Sequence, residues 1–98
     1  MEIPKKVKVA FKEFDVKKVE NLDDGKNTLY GQILYMEEEI KINTQAKEEA
    51  QKEAFLHELI HAIDDVYMIG LKEKQVERIA TGLHLVMEQN KWVLSEWK

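Results

Sequence analysis

The stretch FLHELIHAIDD, Phe55 to Asp65, carries two of the chain's three histidines. His57 and His61 stand four residues apart, Glu58 directly follows the first, and Leu56, Leu59, Ile60 and Ile63 surround them. On a helix, residues four apart lie on one face, so the two imidazoles stack one above the other. That is a two-point clamp for zinc, which binds imidazole nitrogen at about 2.0–2.1 Å. Glu58 is rotated by about a third of a turn and does not share a metal with both histidines. Its carboxylate is placed instead to take a proton from a water activated by the metal, the mechanical logic of His-Glu-x-x-His. The plainer reading is an amphipathic helix with two half-buried histidines.

Two ligands are too few, because catalytic zinc sites take three from the protein. The chain has no cysteine, so the third must be His, Asp or Glu, and thiolate sites, disulfides and cysteine nucleophiles are excluded. Glu73 and Glu77 lie one turn apart near the start of a second expected helix, which a short connection after Gly70 returns toward the first. Either completes a His-His-Glu set. His84 shares their face but lies about 16 Å from Glu73 and about 10 Å beyond Glu77 along a helix. It reads as a structural or substrate-side residue. Asp64, three residues after His61, reads either as a hydrogen-bond partner of a ligand imidazole or as a solvated surface carboxylate.

The helix that carries the motif is expected over about 44–67. Asn43 or Thr44 is its candidate cap, QAKEEAQKEA its exposed opening, and Gly70 its terminator. The second helix is expected over about 72–89, with Val76, Ile79, Ala80, Leu83 and Val86 or Met87 at helical spacing. The first half of the chain reads as strands over about 6–42. KVKVAFKEFDV alternates with Val7, Val9 and Phe11 on one side, NLDDGKN is a turn or loop, and TLYGQILYM and EEIKIN form two more strands about a tight turn at Glu37 and Glu38. The expected fold is α+β: a small antiparallel three-stranded sheet packed on the metal-binding helix and a second helix. The remaining tail, 90–98, carries Trp92 and Trp97, expected to fold back on the body or to serve a partner.

The 98 residues make one domain. The net charge of −4, with Lys and Glu interspersed, provides no basic patch, so nucleic acid is not an expected partner. No apolar run has the length of a membrane span or a signal peptide, and a soluble cytoplasmic protein is the expectation.

LHELIHAID followed by EKQVERIATGL resembles the small ImmA/IrrE-type zinc metallo-endopeptidases of bacteria and their phages, which have a gluzincin-like core. The likeness runs from about Tyr30 to Asn90 and is most specific in the His-Glu-x-x-His helix. Such proteins take their third ligand from a glutamate on the following helix, in a pattern resembling Glu-x-x-Ala-Asn-x-x-Ala. Laid on EKQVERIA, that pattern implies Glu73 as the ligand, with Ala80 at the alanine and Glu77 at the polar position, bonded to a ligand histidine. Val76 and Glu77 depart from the pattern, which leaves Glu77 as the alternative ligand.

The resemblance also implies a zincin-like minimal core, Zn2+ as cofactor and Glu58 as general base. Its edge strand beside the cleft, YGQILY or EEIKI here, pairs with extended peptide, and Gly31 allows a close backbone approach. Tyr35, Tyr30 or Tyr67 is a candidate donor to an oxyanion, and equally a tyrosine packed at the core's edge. The expected function is zinc-dependent hydrolysis of peptide bonds in a protein or peptide substrate, such as a repressor or other regulator. The alternative is a non-catalytic, metal-binding or partner-binding protein of the same fold.

Overall fold

The computed structural model describes residues 1–90, so the tail with Trp92 and Trp97 lies outside the described residues. It is an α+β fold in which a four-stranded mixed sheet packs against two helices. The strands are β1 (Lys6–Val9), β2 (Lys12–Val19), β3 (Gly31–Leu34) and β4 (Glu39–Asn43), and the helices are α1 (Glu48–Tyr67) and α2 (Glu73–Gln89). The spatial order is β1-β2-β4-β3.

This corrects the expected three-stranded antiparallel sheet in two respects. KVKVAFKEFDV is a hairpin, not one strand: it reverses at Ala10 and Phe11, with Ala10 in the left-handed region at φ 55°. No Gly, Asn or Asp announces the turn, and alternation continues through it, which hides it from a period-two reading. Phe11 is consequently 82 % exposed, whereas Phe14 and Val16 supply the core side chains. Secondly, β4 inserts between β2 and β3, parallel to β2 (Val16 opposite Ile40) and antiparallel to β3 (Ile33 opposite Ile40). The connection from Val19 to Glu39 is long enough for a parallel crossover. Burial drives the choice: Ile40 and Ile42 have no exposed surface, and only a central position covers both.

The helices keep nearly the expected span, with local differences. Asn43 does not cap α1. Its side chain is buried in the preceding turn, accepting from the Gln45 amide at 2.9 Å and donating to the Leu29 carbonyl at 2.9 Å. The helix therefore opens at Glu48, whose carboxylate and that of Glu49 face the positive end of the helix dipole. It closes with Met68 in the left-handed region at φ 51°, two residues before the glycine expected to end it.

Phe55, Leu56 and Ile60 of α1 pack with Phe14, Val16, Ile40 and Ile42 of the sheet. On α2 only Val76 and Ala80 are fully buried, while Ile79, Leu83 and Val86 remain substantially exposed. The small contact face lets α2 lie close along α1. No helix among the described residues is long and apolar enough to cross a membrane. Phe14 is the largest fully buried side chain, so Phe14→Ala is expected to lose about 3–5 kcal/mol of stability in urea unfolding.

Candidate metal centre

α1 carries His57 and His61 with ring centroids 4.9 Å apart, as residues one turn apart should be. Both rings are half-buried, with side chains a little over one-fifth exposed, and both turn their Nε2 atoms toward α2. The first residue of α2 meets them. Glu73 Oε1 lies 2.7 Å from His57 Nε2, and Glu73 Oε2 lies 3.0 Å from His61 Nε2. One ligand atom from each of the three falls within 4.8 Å of the other two. A tetrahedral zinc with bonds near 2.0–2.1 Å separates its ligand atoms by about 3.3 Å, so the two carboxylate–imidazole spacings need only a slight spreading to accept the ion. Two neutral-capable imidazoles and one carboxylate are also a donor set that zinc accepts.

Glu77 sits one turn further along α2 and lines the same cleft, but makes no hydrogen bond to either histidine among the described residues. Asp64 does not touch the imidazoles, contrary to one expectation for it. Its Oδ1 accepts the backbone amides of Gly70 at 2.7 Å and Leu71 at 3.0 Å.

Glu58 is only 7 % exposed, an unusual state for a carboxyl group. It lines the cleft beside the three-residue cluster, on the side where α1 meets β3. Gly31 makes this fit possible: a Cβ at that position would lie 3.2 Å from both Cγ and Oε2 of Glu58 and 3.3 Å from the Ala54 Cβ. Burial, opposed by the nearby His57 and reinforced by the negative Glu73, raises the Glu58 pKa from 4.5 to about 7. A carboxyl group so placed exchanges a proton near neutrality, which suits a general base that later acts as an acid.

The cleft has a volume of about 750 Å3 and runs between β3 and the α1–α2 pair. Among the described residues β3 is an edge strand of the sheet and β4 is interior, so of the two candidate edge strands YGQILY holds that place and EEIKI does not. Tyr30 and Tyr35 line the cleft, whereas Tyr67 is an exposed residue at the end of α1. Burial and then the negative field of Asp65, Glu58, Asp64 and Glu73 raise the Tyr35 pKa, which keeps its hydroxyl protonated as a donor.

At the far end of the cleft His84 contacts Glu49 at 2.9 Å and Glu53 at 3.5 Å. Glu49, His84 and Glu88 form a second group of closely spaced ligand-type atoms. Their carboxylates are already answered by cations, Lys52 at 3.4 Å from Glu49 and the Met1 amino group at 3.6 Å from Glu88. The group therefore ties α1 to α2 as an ion-pair network. Neither Glu49 nor Glu53 stood out in the sequence, since QAKEEAQKEA reads as solvated helix; their spacing along the face that carries His57 was the available signal.

Comparison of the chain with protein-family models, curated proteins and solved structures gave no match. The chemistry therefore rests on the geometry above.

The raised Glu58 pKa sets a pH dependence of stability in metal-free protein. The folded carboxyl holds its proton up to about pH 7 while the unfolded one releases it near 4.5, so stability falls as pH rises through that window. The expected fall is at most about 3 kcal/mol. Glu58→Gln should flatten it, and urea unfolding at pH 5 and pH 8 in chelator checks both.

Proposed function

We propose that this protein is a zinc-dependent metallo-endopeptidase with a zincin-like minimal core of the ImmA/IrrE type, cleaving peptide bonds in a protein substrate. The observation that carries the reading is the convergence of His57, His61 and Glu73 beside a buried Glu58 in a cleft bordered by an edge strand. A structural histidine pair accounts for the first two residues, but gives no reason to keep a carboxyl group as little exposed as that of Glu58 at their side.

His57, His61 and Glu73 would hold the ion. Zinc bound there supplies Lewis-acid chemistry, polarising a carbonyl and acidifying water. The chain's own residues do the rest. The exposed backbone of β3 offers donors and acceptors to an extended peptide and aligns it along the cleft. Glu58 takes a proton from the attacking water and returns it to the departing amine, a double duty that its near-neutral pKa favours. Tyr35 supplies a hydroxyl donor on the cleft wall, available to the oxygen on which charge develops. Gly31 keeps β3 close over Glu58 and so maintains the poorly hydrated surroundings that raise its pKa.

The proposed substrate is a protein segment able to become extended, as in a repressor or other regulator, and the proposed location is the cytoplasm, which a cysteine-free chain suits.

Protein purified without a histidine tag is expected to hold one zinc per chain, and His57→Ala to lose it. Glu58→Gln should keep the zinc and lower peptide cleavage by about 10²–10⁴-fold. Cleavage undiminished in Glu58→Gln would overturn the catalytic reading, and absence of stoichiometric zinc in the wild type would overturn the metal reading itself.

A further inference from the structure

The connection between the two helices is five residues long, Met68 to Lys72, and its backbone amides are collected with unusual economy. The Asp64 carbonyl oxygen accepts from Met68 and from Ile69, the latter at 3.1 Å. The Asp64 carboxylate accepts from Gly70 at 2.7 Å and from Leu71 at 3.0 Å through a single oxygen, Oδ1. The fifth amide, that of Lys72, donates to Gln75 Oε1 at 2.8 Å, within the first turn of α2. Met68 holds a positive φ of 51°, which a residue with a Cβ adopts only at a cost, whereas Gly70 takes its φ of 84° freely.

Each of these contacts bears on Glu73. The histidines are rigid parts of α1, whereas Glu73 is the first residue of α2 and stands immediately after the connection. Asp64 is three residues beyond His61 on the same helix and grips the chain two residues before Glu73. A carboxylate accepting two amide bonds is among the stronger backbone fasteners. We infer that Asp64 is a positioning residue for the metal centre: by fixing the turn between α1 and α2, it holds the Glu73 carboxylate against His57 and His61 and so sets zinc affinity without touching the ion.

This inference rests on the zinc-site reading above, and the test separates the two. Zinc affinity is measured by chelator competition for the wild type, Asp64→Ala, Asp64→Asn and Glu73→Ala, and for the Asp64→Ala/Glu73→Ala double variant. Amide hydrogen exchange at Gly70 and Leu71 is followed in metal-free samples. Asp64→Ala is expected to weaken zinc by about 10–100-fold, the effect usual for residues that support a ligand from behind. It should also deprotect both amides.

Asp64→Asn keeps an acceptor oxygen in place and should recover most of the affinity. In the Glu73→Ala background Asp64→Ala should cost nothing further, because the group it positions is gone. Asp64→Glu, which retains the charge on a longer arm, is the milder variant if Asp64→Ala does not fold, and should shift affinity in the same direction. Wild-type affinity in Asp64→Ala, or in Asp64→Glu where Asp64→Ala does not fold, or an equal loss with and without Glu73, overturns the inference alone. A wild type that takes up no zinc overturns it together with the metal reading.

Discussion

The burial of α1 between the sheet and α2 is the constraint on which the rest of the structure depends. Phe55, Leu56 and Ile60 commit one side of the helix to Phe14, Ile40 and Ile42, and this leaves the side carrying His57, Glu58 and His61 to face β3 and α2. Apolar burial supplies the driving force, since each such side chain contributes about 1.5–3 kcal/mol when removed from water. A helix anchored this firmly tolerates an ionisable group in a poorly hydrated place. Glu58 is that group, and its raised pKa is the electrostatic consequence of the packing.

The two partners of α1 contribute different things to the cleft. β3 contributes proximity: Gly31 brings the strand so close that a side chain there would press on Glu58. α2 contributes charge, with Glu73 setting one carboxylate oxygen beside the Nε2 of each imidazole. Val76 and Ala80 are small enough to let α2 lie against α1, and the fastened turn at Met68–Lys72 sets where α2 begins. Further along the pair, the contacts of His84 with Glu49 and Glu53 hold the helices together at the end away from that turn.

Much of the candidate site is legible in the sequence, because helical geometry is local. His57 and His61 had to share a face, Glu58 had to be rotated from them, and His84 had to be too distant to join Glu73. The helices and the loop over NLDDGKN were equally readable from spacing and turn residues. Asp64 fills neither of its two expected roles, because the carboxylate serves the backbone beyond the helix and not the imidazole before it.

The sequence by itself determined the two helices and the spacing of the two imidazoles along α1, since both follow from periodicities within one segment. Only the tertiary structure decided that Glu73, rather than Glu77, meets the histidines, that β4 enters the sheet parallel to β2, and that KVKVAFKEFDV turns back at Ala10. The physical reason is common to all three. Each is a choice among near-equivalent local options, and it is settled by which arrangement buries Phe14, Ile40, Ile42 and Val76 together.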